Sequence, residues 1–467
     1  MVNTAIILAA GEGTKIWPYG VVRPKSLIPI AGQSILEHQI RALKKAGIQN
    51  IKVAIHYQDQ CFNSFSEKFQ DIEFLKVGHT KGTADTLQIA LSNSTNDNVL
   101  VLYGDALISE VDLNAFIEAH NRNISANSTK NQKTITALLN PHNESSRNYI
   151  GCIIAEDRIT EIIGHSRSST THHFLGFIIP ISFKKYLKNV PPLFPNIEVG
   201  MMPPDELFLE SAMIEWMNDD CLISSYVCRE RSFDIDKPWH IVEANQWMNS
   251  KICESIKENV TLEGSTIDSS ATINGFVRLG RNSHIGKNVI IEGNVWIGNE
   301  TNIKHGAILK GSNVIGNHCE IGYFCYIETG STIGDHCKVL HAAELDGILF
   351  PGVYLYHYME IAGIVGQNSD IGAGTVCGSL RFDDGLTKQK VKGRVEQIHE
   401  QKLSNACYIG DYSRTGINAI LLPGVKTGAR SIVGPGVILD SDLEDETIIM
   451  VDQKTVRKKW STDRYGW

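Results

Sequence analysis

Residues 279–303 read LGRNSHIGKNVIIEGNVWIGNETNI, and their six-residue rhythm decides the fold of half the chain. Leu279, Ile285, Ile291, Ile297 and Ile303 stand six apart, and Gly280, Gly286 and Gly298 follow three of them directly. Extended both ways, the frame runs from Ile267 to Val339 through thirteen aliphatic residues without a break. If roughly a quarter of residues are Ile, Leu or Val, chance produces such a run anywhere in the chain at odds on the order of one in 10⁵. A period of six matches neither the helix repeat nor strand alternation. It fits a parallel β-helix, in which each hexad is one short strand plus a turn and the aliphatic side chain stacks inward.

The same frame orders the rest of this half. Cys319, Cys325 and Cys337 share one position, which predicts a stack on the β-helix surface or corner. His318 and His336, eighteen apart, are expected to be stacked turn residues. The frame slips near Asp346–Pro351 and resumes at Val353, Met359, Val365 and Ile371. Ser379–Lys402 breaks it with a stretch too polar for a core, and Leu403, Ile409 and INAILLPGVKTG bring it back. A long polar excursion on such a fold carries function or meets a neighbouring subunit.

Upstream, the period changes. Thr4–Leu8 is a short apolar run of buried-strand type. Ser34–Ala46 and Thr83–Leu91 have helical spacing, and Ile51–His56 and Asn98–Tyr103 are strand-like. This βαβα order predicts a parallel, doubly wound sheet with ligands at the carboxyl ends of its strands. Asn121–Lys133 is polar and expected as a surface loop, and Pro238–Ser250 as a closing helix. The expected boundaries are 1–236 for the first domain, 237–256 for a linker helix, 257–450 for the β-helix and 451–467 for a tail.

The chain has 467 residues, 42% hydrophobic and 21% charged, with a net charge of −8. That balance gives no electrostatic footprint for nucleic acid. No run of eighteen apolar residues and no secretory leader pattern stand in the sequence, so neither a membrane span nor export is expected. Ten cysteines without C-x-x-C pairs suit free thiols in a reducing cytoplasm.

Residues 8–25, LAAGEGTKIWPYGVVRPK, carry the chemistry. A strand feeds a glycine-rich turn whose backbone N–H groups can approach phosphate oxygens, with Lys15 and Lys25 in reach. A dinucleotide fingerprint would need glycine at position 16, which is Ile16, and a Walker loop needs four residues between its glycines. Asp105 follows the apolar strand 98–103, and Asp234 and Asp236 lie in FDIDKPW. Carboxylates beside a phosphate cradle suit a hard divalent cation.

These motifs resemble the nucleotide-sugar pyrophosphorylases (sugar-1-phosphate nucleotidylyltransferases). The resemblance implies a Rossmann-like, doubly wound α/β nucleotidyltransferase domain. A nucleoside triphosphate would lie on Leu8, Ala9, Gly11, Gly13, Thr14, Gly82, Thr83, Tyr103 and Gly104. Lys15 would stabilise the pyrophosphate leaving group and Lys25 the α-phosphate, with Mg²⁺ on Asp105, Asp234 and Asp236. Gly151 and Gly176 keep the sugar-side glycines, while Ile150, Gly164 and Phe174 replace polar groups usual there. Lys15 stands where arginine is usual, and Val77 where glutamine is.

The hexad half resembles the hexapeptide-repeat left-handed β-helix, in which three hexads close one triangular coil, so 267–339 covers four coils. IGAGT, LRFDD, KVKG and RTGINAILLPGVKTG, within 371–428, resemble bifunctional sugar-1-phosphate nucleotidylyltransferase/amino-sugar acetyltransferases. This implies a homotrimer and an acetyl-CoA site. Its general base would be His357, although the register places Tyr356 at the usual histidine position. The function expected is transfer of a nucleotidyl group to a sugar phosphate. The alternatives are a bifunctional enzyme that also acetylates, and a non-catalytic regulatory homologue that binds nucleotide sugar.

Overall fold

The computed structural model describes residues 2–92, 97–127, 133–141, 149–164, 170–191, 193 and 206–460. A nine-stranded sheet forms the first domain. Its strands, in chain order, are β1 (Thr4–Ala9), β2 (Asn50–Ile55), β3 (Glu73–Lys76), β4 (Asn98–Tyr103), β5 (Ile135–Pro141), β6 (Ile150–Ala155), β7 (Arg158–Gly164), β8 (His172–Pro180) and β9 (Ile223–Val227). They lie in the order β3-β2-β1-β4-β8-β5-β9-β7-β6. β1 is buried along its whole length, as an apolar run covered on both faces should be. Helix Ile35–Lys45 starts where the Ser34 hydroxyl accepts from the Glu37 amide at 3.1 Å.

The doubly wound reading holds for the parallel quartet β3-β2-β1-β4. Beyond β4 the sheet is mixed, because β8 runs antiparallel to β4, β5 and β6. The expected loop at Asn121–Lys133 is instead helical to Asn127, in the helix Glu110–Asn127; residues 128–132 lie outside the described residues. Its polar residues continue a helix whose other face buries Leu113 and Phe116.

The second domain is the left-handed parallel β-helix. One inward column runs Ile267, Ile285, Ile303, Ile321, Val339, Leu355, Ile371, Thr415, Val433, Ile449, each paired in parallel with the next. The coil shortens from eighteen residues to sixteen where Val339 pairs with Leu355 and Leu355 with Ile371. There Glu344–Leu349 and Glu360–Val365 run as continuous strands around a corner. The expected frame residues Val353 and Met359 therefore sit two places before the column residues Leu355 and Ile361, though all four are buried.

Cys319, Cys325 and Cys337 are not on the surface. They are buried in the β-helix core. Ser283, Thr301, Cys319 and Cys337 occupy successive coils and each donates to a backbone carbonyl further on: Gly298 at 2.7 Å, Gly316 at 2.8 Å, Gly334 at 3.0 Å and Phe350 at 3.2 Å. The thiols replace hydroxyls in one internal ladder, and burial pushes Cys319 up to about 12. His318 and His336 stack as expected, centroids 4.8 Å apart with nearly parallel rings, at left-handed corners with φ 56° and 60°.

Helix Pro238–Glu254 bridges the two domains. Asn245 Oδ1 accepts from the Ala31 amide at 2.7 Å and from the Thr332 hydroxyl at 3.0 Å. One apolar cluster joins Ile16, Tyr19, Phe233, Ile235 and Trp239 to Ile348, Phe350, Ile364 and Tyr408 of the β-helix.

The shortened corner depends on glycine. A Cβ on Gly363 would lie 2.0 Å from the Cys407 carbonyl oxygen, and one on Gly347 would lie 1.9 Å from that of Gly363. Gly363→Ala is expected to destabilise the fold by about 2 kcal/mol or more through overpacking against backbone that cannot yield. A fall in the thermal midpoint, measured beside Gly393→Ala, where a Cβ meets nothing within 4 Å but φ is 75°, separates the clash from backbone strain alone.

Candidate active site

Gly13 ends the strand-to-loop turn in the left-handed region, φ 64°, and a Cβ there would lie 2.9 Å from the Lys25 Cβ. The loop therefore folds directly onto Lys25. Around Gly11 a Cβ would meet nothing within 4 Å, and Gly11 and Thr14 are exposed. Gly104 packs against the other side of the turn, its amide donating to the Leu8 carbonyl at 2.9 Å. Leu8 and Ala9 are buried at the end of β1, and Tyr103 and Gly104 at the end of β4 stand beside them.

Two distant segments bring the acids together. Phe233–Asp234 pairs antiparallel with Ala106–Leu107, and the Ile235 amide donates to the Asp105 carbonyl at 3.0 Å. The Lys25 ammonium lies 2.6 Å from Asp105, 2.9 Å from Asp236 and 3.9 Å from Asp234. Lys15 reaches Asp236 from the solvent side at 3.1 Å.

Three carboxylates face two ammonium groups, so the site carries surplus negative charge. Burial and the neighbouring Asp105 charge push the Asp234 carboxyl up to about 7. Asp236 goes the other way: burial works to raise it, but Lys25 and Lys15 hold it well below the usual carboxylate range. Burial works to lower Lys25, and Asp105 and Asp236 overcome it, so the ammonium stays charged. Among the described residues no three His, Cys, Asp or Glu side chains close into ligating geometry by themselves. The donor set nonetheless fits a hard divalent cation, since all three acids are oxygen ligands whose mutual repulsion such an ion would relieve.

The other expected residues have mixed placements. Gly82 is pinned by close backbone approach, a Cβ there lying 2.5 Å from the Leu207 carbonyl. The Thr83 hydroxyl accepts from the Leu209 amide at 2.9 Å and so starts the helix Leu209–Asn218. Gly151 and Gly176 are buried in the sheet, where a Cβ would lie 2.1 Å from the Thr170 hydroxyl and 2.4 Å from the Val101 carbonyl. Packing accounts for both glycines. His357 stands apart, exposed at a β-helix corner with its ring 6.2 Å from His341.

Sequence reading missed several groups. Glu210 is buried and accepts a short hydrogen bond from the Tyr103 hydroxyl; burial pushes it up to about 7. Burial also raises Glu206, while Lys15 and Lys392 pull it down. Lys392 belongs to a hairpin, Gln389–Val391 with Arg394–Glu396, inside the polar excursion of the β-helix. Glu396 of that hairpin lies 3.6 Å from Lys237, next to Asp236. No local pattern in the sequence ties this hairpin to the first domain.

Residues 4–163 match the nucleotidyl transferase family model, and 255–351 match the GMPPB C-terminal domain. The chain as a whole is homologous, over nearly its full length, to bifunctional sugar-1-phosphate nucleotidylyltransferase/acetyltransferases. It is 27% identical to the bifunctional protein GlmU of Methanocaldococcus jannaschii, covering 97% of this chain and 99% of that protein. It is 26% identical to the bifunctional sugar-1-phosphate nucleotidylyltransferase/acetyltransferase of Sulfurisphaera tokodaii, covering 94% and 98%. A shorter match, 32% identical over 25% of this chain and 34% of the other, is to mannose-1-phosphate guanylyltransferase 1 of Arabidopsis thaliana.

Glu210 makes stability fall with pH. Its folded pKa of about 7 lies above the ordinary 4.5, so between these values the folded state holds a proton that the unfolded state has released. The stabilising contribution is complete below pH 4.5 and lost as pH rises through 7, a loss of about 3 kcal/mol at most. Glu210→Gln is expected to flatten the decline, seen as a smaller drop in thermal midpoint between pH 5 and pH 7.5 than in the wild type.

Proposed function

We propose that the chain is a sugar-1-phosphate nucleotidylyltransferase. The observation that carries this is the gathering of Asp105, Asp234 and Asp236 on Lys25, directly behind the open glycine turn. The backbone N–H groups of 11–14 donate to the triphosphate oxygens, and Lys15 faces the β- and γ-phosphates. Lys25 faces the α-phosphate and the incoming sugar phosphate, damping the repulsion between two anions. An oxygen of the sugar phosphate attacks the α-phosphorus in line; the new P–O bond forms as the bond to the β-phosphate oxygen breaks, and pyrophosphate leaves. No covalent enzyme intermediate is needed. Asp105 with Asp234 and Asp236 would hold a divalent cation, Mg²⁺ by its preference for hard oxygen ligands, supplying charge neutralisation to the phosphates.

The test is pyrophosphate release across UTP, CTP, dTTP and GTP, each with a panel of hexose and amino-sugar 1-phosphates. Release with at least one pair is expected. It should be abolished by chelation and restored by Mg²⁺, and Lys25→Ala should lower kcat about 10²-fold or more. No release from any pair would leave the non-catalytic, nucleotide-sugar-binding reading in its place.

A second activity, acetyl transfer, is favoured by the full-length likeness to bifunctional relatives and by His357, exposed at a β-helix corner. A base there would take the proton from a sugar amine as it attacks the thioester, releasing CoA. Free CoA from acetyl-CoA plus an amino-sugar phosphate, lost in His357→Ala, is the expected outcome; no CoA from the wild type removes this reading. A homotrimer packed through the β-helix is part of this reading, supported by the exposed aliphatic residues Ile420, at 37%, and Ile438, at 62% exposure. Ten free cysteines support a reducing, cytoplasmic setting. Among the described residues no helix is long and apolar enough to cross a membrane.

A further inference from the structure

The turn that carries Lys15 and Lys25 is attached to the β-helix at three points between those two lysines. The Trp17 indole donates to the Asp445 carboxylate at 3.1 Å. The fully buried Tyr19 hydroxyl donates to the Ile364 carbonyl at 3.0 Å, and its ring packs against Phe350 with centroids 5.2 Å apart. Arg23 Nη2 pairs with Asp411 Oδ1 at 2.6 Å, with the Arg23 and Asp411 side chains 7% and 0% exposed. The Arg23 guanidinium also sits 5.1 Å from the Phe350 ring centre, and the Gln367 amide donates to the same Asp411 oxygen at 2.7 Å.

The ion pair has a single point of contact. Arg23 Nη1 and Asp411 Oδ2 are both buried without a hydrogen-bond partner. Burying two charges with half their bonding capacity unused is a poor way to add stability, since an apolar pair of similar volume would do as well or better. Such a pair does fix a position, because neither group can leave without stranding the other. Arg23 is two residues from Lys25, and Lys25 touches all three acids of the site.

We propose that Arg23 and Asp411 are a positioning pair for nucleotidyl transfer: the β-helix, through Asp411, sets where the phosphate-binding turn lies. This rests on the nucleotidyltransferase reading of the first domain, and it gives the β-helix a part in that reaction distinct from any acetyl transfer. Neither residue touches substrate; both act through the seat of Lys15 and Lys25.

The test uses the full chain and two variants. Asp411→Asn removes the charge of the pair. Tyr19→Phe removes one oxygen and one hydrogen bond of the same clamp, and keeps the test alive if Asp411→Asn fails to fold. Amide hydrogen exchange over residues 13–28 is expected to quicken about tenfold in Asp411→Asn, and less in Tyr19→Phe, while strands 279–315 of the β-helix keep their protection. In pyrophosphate release, KM for the nucleoside triphosphate should rise about fivefold or more, with a smaller change in kcat. Combined with Lys15→Ala, Asp411→Asn should cost less than it does in the wild type, because part of its effect passes through the Lys15 side chain and the rest through Lys25. Unchanged exchange over 13–28 in the folded variants, or unchanged KM, or full additivity with Lys15→Ala, overturns the proposal. If the wild type releases no pyrophosphate at all, the catalytic reading falls, and exchange alone then decides whether Asp411 seats the turn.

Discussion

The contact on which the molecule turns is the apolar seam between the glycine-rich loop and the β-helix. Ile16, Tyr19 and Ile28 belong to the loop by sequence, yet they share one cluster with Phe350, Ile364 and Tyr408. A glycine-rich loop in solution would sample many conformations, and ordering each residue costs about 1–2 kcal/mol of backbone entropy. Here part of that ordering is accomplished by burial against a second domain. The open part of the loop, Gly11 to Thr14, is left facing solvent. One surface of the turn is spent on packing so that the other can hold still.

The charge arrangement follows from the same rigidity. A lysine buried among apolar groups would give up its proton; Lys25 keeps it because three acids converge on it. Those acids in turn depend on the Ala106–Leu107 and Phe233–Asp234 ladder, which fixes the two segments to each other by backbone hydrogen bonds. Asp234 and Asp236 lie two residues apart and are driven in opposite directions, up for Asp234 by burial and Asp105, down for Asp236 by the lysines. One acid of the cluster is thus fully paired with lysine while the other is not.

Legibility in the sequence tracked the range of the interaction. The β-helix was readable because each hexad repeats a local requirement, an inward aliphatic and a tight turn, and the structure keeps Ile285 to Val339 in that frame. Lys15, Lys25, Asp105 and Asp236 were readable as residue types, and the structure brings them within direct contact. What stayed hidden was pairwise and distant. The antiparallel course of β8 has no signature in an apolar run. Cys319 and Cys337 look like surface residues until the Ser283 and Thr301 ladder shows that a small donor is wanted inside. Nothing in the sequence around Arg23 or Asp411 links one to the other, and only the docking of two domains makes them partners. Gly151 and Gly176 meet a steric requirement inside the sheet that no local pattern announces.

The break in the hexad frame and the docking of the first domain are one event. A regular coil turns each corner with residues that project outward, and such a corner offers no flat surface to a neighbour. Where the coil shortens, Glu344–Leu349 and Glu360–Val365 run round the corner as continuous strands, held together by Gly347 and Gly363. Strand alternation then directs Leu345 and Leu349 inward and Ile348 and Phe350 outward, and Ile361 and Val365 inward and Ile364 outward. The outward residues would be an exposed apolar patch on an isolated β-helix. They are buried because Tyr19, Ile235 and Trp239 cover them. The slip at Asp346–Pro351 is therefore a structural signal: it falls where two continuous strands present their outward residues to another domain.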